Sequence, residues 1–154
     1  MSDIRERVAR LCDSYEATAE RMKALPIFNA ALRVEAIGFQ DFGGGLLGVL
    51  VTPWFMNLVF LPRSDGPVPA VGEEMRTHLL PAGPCEFMGT RLEGVGPIES
   101  CSLLSPMVGL ESQEEARSAA IETLRLLFTP RSEAGPARPF FPSRRELLQG
   151  ILRR

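Results

Sequence analysis

At 154 residues, with 45% hydrophobic and 23% charged side chains, the chain is long enough for one self-sufficient core and is composed like a globular protein, not a disordered one. A formal charge of −2 gives it no overall electrostatic attraction to nucleic acid, so that class of partner is set aside. Thirteen prolines and fourteen glycines argue for short elements and many turns, against a plain helical bundle.

The first predicted element is a helix over residues 3–25. Ser2 is a good N-cap, Asp3 and Glu6 stand in the first turn where the helix dipole favours anions, and Pro26 closes the segment. Ile4, Val8, Leu11, Tyr15, Met22 and Leu25, with Thr18 in the missing seam position, form one apolar stripe. A helix lying on a sheet uses such a stripe; a homodimer through a short coiled coil is the alternative. The segment lacks the apolar core of a secretory signal. The most apolar run, Leu46 to Leu61, is broken by Pro53 and Asn57 and is shorter than the ~20 residues a membrane helix needs. A cytoplasmic chain without a membrane span is expected. Its three scattered cysteines, Cys12, Cys85 and Cys101, with no C-x-x-C pair, agree with a reducing compartment.

From Arg33 to about Ser105 the period shortens. Val34–Phe39, Leu46–Thr52, Trp54–Leu61, Met75–Leu80, Cys85–Leu92 and Ile98–Leu104 are short runs punctuated by Gly and Pro, and they read as strands. Gly43-Gly44-Gly45 is a turn and not a phosphate loop, because no Gly-Lys-Ser/Thr and no helix follow it. Connections this short pair neighbours antiparallel. Ser112-Gln113-Glu114-Glu115 is a capping box opening a helix to about Phe128, with Ala116, Ala119, Ala120, Leu124, Leu127 and Phe128 on its apolar side. The predicted fold is therefore α+β: an antiparallel sheet of five or six strands in two layers, with the N-terminal and C-terminal helices packed on one face.

A domain over residues 1–128 is thus followed by a Pro-rich linker over 129–142, in which four prolines fall within fourteen residues. A second capping box, Ser143-Arg144-Arg145-Glu146, opens a basic amphipathic helix over 143–154 with Leu147, Leu148, Ile151 and Leu152 on one side. Residues 129–154 carry six arginines against two glutamates, net +4, which leaves the preceding body at −6 of the chain's −2. An acidic globule with a basic tail is the most informative global feature.

Chemistry is sparse. His78 is the only histidine and has no ligand-spaced partner, so no metal and no cofactor are expected. A thiol- or histidine-dependent enzyme or redox factor would have to use His78, Cys85 and Cys101, and would need those side chains to converge and a thiol pKa to fall. What stands out instead is apolar material around the single tryptophan, in Thr52-Pro53-Trp54-Phe55-Met56-Asn57-Leu58. Trp54 wedged into the core against the first helix is one reading. The other is a partner-binding patch of Trp54, Phe55, Met56, Asn57 and Leu58, with Met107 as neighbour, since Trp, Phe and Met are enriched where proteins grip each other.

LPIFNAALRVEAIGF, LLGVLVTPWFMNLVFLP, the GE and LPAGPCEF stretch, and GVGPIESCSLLSPM together span about residues 25–108. In this order they resemble the HybE-type [NiFe]-hydrogenase assembly chaperones, called HupJ in some operons. The resemblance implies a cytosolic, non-enzymatic accessory protein that binds an immature hydrogenase small or large subunit precursor, or the twin-arginine signal of the small subunit. Relatives with an N-terminal rubredoxin domain differ from this chain, which lacks the two C-x-x-C pairs. Arg144, Arg145, Leu147 and Leu148 look like a twin-arginine export motif at the wrong end of the chain. They are either a capped basic helix or a mimic of the client's signal. A permanent structural subunit of a complex is the remaining reading from another class.

Overall fold

A strand that buries only one face alternates apolar with polar residues; GLLGVLV does not alternate, and such a strand needs cover on both sides. The computed structural model, which describes residues 4–63 and 75–130, provides that cover. In chain order the elements are helix α1 (Ile4–Met22), strands β1 (Glu35–Phe42), β2 (Gly45–Val51), β3 (Met56–Pro62), β4 (Met75–Leu80), β5 (Gly83–Leu92) and β6 (Gly96–Leu104), and helix α2 (Gln113–Leu127). They build one six-stranded sheet in the order β1-β2-β3-β6-β5-β4, antiparallel throughout. Two three-stranded meanders therefore meet along β3 and β6.

The α+β class and the six antiparallel strands agree with the sequence reading. The placement of the helices does not. Leu47, Val49 and Val51 of β2 and Met56, Leu58 and Phe60 of β3 share one core with Ala116, Ala119, Ala120, Leu124 and Leu127 of α2. Leu50, Val59 and Leu61 share a second core with Leu11 of α1. Alternate positions of one strand point to opposite faces, so the helices lie on opposite sides of the sheet. The expected two layers become helix, sheet, helix.

The sheet is also rolled. Phe42 on β1 and His78 on β4 belong to its opposite margins, yet their ring centroids are 6.3 Å apart. Six flat strands would separate those margins by about 24 Å at the usual spacing of roughly 4.8 Å. The sheet thus forms a trough, with α2 inside and α1 against the outer wall. Small residues explain how a helix fits there: Ala116, Ala119 and Ala120 are all buried. Phe128, which caps α2, packs edge-on against Phe42 at 6.0 Å. On the outer wall Gly48 leaves room for the Phe39 ring, whose Cδ1 would stand 2.4 Å from any Cβ added there.

Local signals set most element ends. Gly43 and Gly44, both at positive φ, make the two-residue turn between β1 and β2. Ser112 caps α2, its Oγ accepting from the Glu115 N–H at 3.2 Å. The Glu115 carboxylate accepts from Glu111 N at 3.0 Å and so caps one residue further out than the predicted box. Helix α1 stops at Met22, three residues before the predicted end, because the residue preceding Pro26 disfavours helical backbone; Leu25 N donates to Met22 O in a turn instead. Arg7 clamps α1 to the sheet. Its buried guanidinium donates to Val95 O at 3.0 Å, Pro97 O at 2.8 Å and Pro62 O. Burial, and then Arg10, lower its pKa from the ordinary guanidinium value.

Candidate binding surface around Trp54

The turn joining β2 and β3 is closed by Thr52. Its N–H donates to Phe55 O at 2.8 Å, and its hydroxyl oxygen accepts from Phe55 N at 3.0 Å and Trp54 N at 3.3 Å. This geometry turns the indole inward. Trp54 lies 6.4 Å from the Tyr15 ring of α1, 6.5 Å from Phe28 in a stacked arrangement, and 5.5 Å from Phe55. Only 9% of it is exposed.

The accessible patch expected of Trp54, Met56, Leu58 and Met107 is therefore corrected. Met56, Leu58 and Met107 are fully buried because they point into the trough and join the α2 core. Phe55 and Asn57 are half-buried; Asn57 stands on the outer wall, opposite Leu50. Of the two readings of this run, the core reading describes the indole and its trough-facing neighbours.

An apolar surface remains open beside the indole; it includes Leu25, expected on the buried stripe of the first helix but left in water past the end of α1, and two residues without an assigned role, Ile27 and Val108. Leu25 is 47% exposed, Ile27 46% and Val108 60%, and half-buried Phe28 connects them to Trp54. Asn29 fixes this collar. Its N–H donates to Pro53 O at 2.8 Å, and its Nδ2 donates to Met107 O at 2.8 Å and Leu110 O at 2.9 Å. One side chain thus ties the segment bearing Leu25 and Ile27 to the segment bearing Val108. Ile27 and Val108 are single apolar residues in loops and carry no periodicity, so only their adjacency to Pro26 and Gly109 hinted at them. On the outer wall, Met75 and Met88 are cross-strand partners and are exposed together with Leu79, since the core under α1 gathers residues of β2, β3 and the start of β6.

The rival thiol chemistry fares differently. His78 is the cross-strand partner of Cys85, and Cys85 and Cys101 share the trough core, so the three residues do gather on one wall. Their electrostatics oppose a nucleophile, which needs a lowered thiol pKa. Burial, then Cys85 and Glu86, push Cys101 up to about 11, and burial raises Cys12 as well. His78 Nε2 is engaged at 3.0 Å by Glu99 Oε1, a fully buried carboxylate that the sequence reading passed over inside a Gly- and Pro-pinned run. Among the described residues no group of three His, Cys, Asp or Glu side chains is placed to hold a metal. No helix among them is long and apolar enough to cross a membrane. Arg144, Arg145, Leu147 and Leu148, with nearly all of the predicted linker, lie outside the described residues.

Comparison with known proteins agrees with the motif reading. The family described as "[NiFe]-hydrogenase assembly, chaperone, HybE" matches residues 6–150. The hydrogenase expression/formation protein HupJ of Bradyrhizobium diazoefficiens is 40% identical over 148 residues, covering 92% of this chain and 86% of its own. The hydrogenase expression/formation protein HoxT of Azotobacter vinelandii is 41% identical over 140 residues, covering 90% and 91%. The solution structure of HybE from Escherichia coli superposes with a TM-score of 0.66 at 26% identity, over 91% of this chain and 93% of that one. These proteins are named for assembling an enzyme and not for a reaction of their own. The chain belongs to the HybE family of [NiFe]-hydrogenase assembly chaperones.

Proposed function

We propose that this chain binds immature [NiFe]-hydrogenase subunits in the cytoplasm through the collar of Leu25, Ile27, Phe28, Phe55 and Val108, and releases them on maturation. The supporting observation is that three large apolar side chains stay about half exposed on loops that Asn29 and the Thr52 turn hold in one shape. A rigid apolar surface loses little entropy when a partner covers it. Trp54, beneath the collar, supports it from inside. A reversible holdase needs modest affinity, in the micromolar range, or ~8 kcal/mol. The client is a small- or large-subunit precursor, and its twin-arginine signal is part of what is recognised. The Arg144-Arg145 and Leu147-Leu148 segment mimics that signal and competes with it.

The test pairs two substitutions on the collar, Ile27→Asp and Val108→Asp. Capture of small- and large-subunit precursors from cells expressing the hydrogenase operon should fall at least tenfold, while the urea midpoint of the chaperone stays within error. Undiminished capture would sink the collar as the client site.

A further inference from the structure

Two carboxamides hold the same pair of segments together. Asn29 ties residues 25–35, which lead from α1 into β1, to residues 107–113, through the bonds of its Nδ2 to Met107 O and Leu110 O. Its Oδ1 accepts from Ala31 N at 3.0 Å, so both ends of the amide are used. Gln113 makes a second tie between the same segments. Its Oε1 accepts from Arg33 N at 2.8 Å, and its Nε2 donates to Glu35 Oε1 at 2.9 Å. Leu32, Met107 and Leu110 of these segments are buried in the trough core, whereas Ile27 and Val108 are left in water. An apolar side chain on a loose loop lowers its free energy by folding back on the protein. Ties at two points oppose the backbone movement that this needs, and the collar stays open.

We propose that Gln113 is a positioning residue of the collar and sets, together with Asn29, how tightly a client is held. The inference rests on the collar as the client site. Gln113 is only 8% exposed, so it acts through the segments it joins and not by touching the client. Nor does the helix demand an amide there. Gln113 is the first residue of α2, and the capping bond at that end comes from Ser112. A buried amide is costly unless bonded, and the bonds of this one go to the segment that carries Ile27 and Phe28. A surface shaped in advance keeps its contact free energy, whereas a loop that is ordered on binding spends part of it on that ordering.

Gln113→Leu keeps the size and the helix and removes both bonds. Under conditions where this variant is fully folded by its urea curve, capture of the hydrogenase subunit precursors should fall about tenfold. Acrylamide quenching of Trp54, the only tryptophan, should rise without any client, because Phe28 stacks on the indole and its segment loosens. The exchange Gln113→Glu/Glu35→Gln restores a carboxylate–amide bond with its direction reversed and should recover both readouts. Parent-like capture and quenching in folded Gln113→Leu would overturn the assignment, as would an exchange that recovers neither. If Gln113→Leu does not fold, hydrogen exchange in the unmodified chain decides. Arg33 is an exposed residue, so slow exchange of its backbone N–H is the expected mark of the Gln113 tie, and exchange at the rate of an open loop would remove it. Should Ile27→Asp and Val108→Asp leave capture intact, the collar reading fails by itself, while Trp54 quenching and Arg33 exchange still judge the tie.

Discussion

Burying Trp54 is favourable and burying the Arg7 charge is costly, and each is held by a partner set that the rest of the chain provides. The indole is enclosed by Tyr15, Phe28 and Phe55, so truncating it leaves a cavity under the collar. Trp54→Ala should cost ~3–5 kcal/mol, read as a lower urea midpoint with an unchanged slope; a variant as stable as the parent would return the ring to the surface. Among the described residues Arg7 has no carboxylate partner, and it uses its donors on three main-chain carbonyls from the ends of β3 and the β5–β6 hairpin. Arg7→Met keeps the apolar stem and removes every donor, leaving those carbonyls to water or to nothing. The expected loss is about 3 kcal/mol or more, with Arg7→Lys recovering part of it, since one ammonium cannot span three acceptors in the guanidinium's planar fork.

Helix α2 is placed by its small residues and anchored by one ion pair. Arg117 donates to both oxygens of Glu35, Nε to Oε2 at 3.0 Å and Nη2 to Oε1 at 3.1 Å, and Gln113 Nε2 adds a bond of 2.9 Å. These bonds join the first turns of α2 to the start of β1. Burial pushes the Glu35 pKa up, but the hydrogen bonds from Arg117 and Gln113 outweigh it, and the net shift is downward. A carboxyl whose folded pKa lies below its unfolded value stabilises the fold above the unfolded value, and that contribution is lost as pH falls through the folded one. The wild type should therefore lose more stability than Glu35→Gln as pH drops from about 5 to 3. Parallel acid limbs for the two proteins would show that the pair adds nothing. The same element shows why the second capping partner was misplaced: Glu111 and Ser112 both offer an N–H near Glu115, and only the loop leading in decides which one is met.

Across the whole molecule, the collar is built on the loops around Trp54 and the trough on the sheet face that α2 covers. If the tail mimics a client signal, deleting residues 138–154 should raise affinity for a twin-arginine signal peptide severalfold in a fluorescence titration, and unchanged affinity would remove competition from the account. Much of the fold was readable beforehand. The stripe of α1, the box at Ser112, the Gly43-Gly44 turn and the six apolar runs are local patterns, each set by residues within one or two turns of one another. The family motifs were equally readable, being fixed residues in a fixed order. The opposite placement of the helices was half readable: the unbroken runs at Leu46–Val51 and Leu58–Leu61 demanded two covered faces, but nothing local says which helix takes which. The rolling of the sheet, the enclosure of Trp54, the collar around it and the half-satisfied Glu99 come from contacts between residues far apart in the chain, 78 positions for Asn29 and Met107 and 36 for Phe42 and His78. The elements, their order and the kinship could be read from the residues alone, because those depend on periodicity and chain neighbours. Which apolar side chains stay in water, and which carboxylate oxygen is buried without a hydrogen bond, follow from the packed fold, because burial is a property of what packs on a residue from elsewhere in the chain.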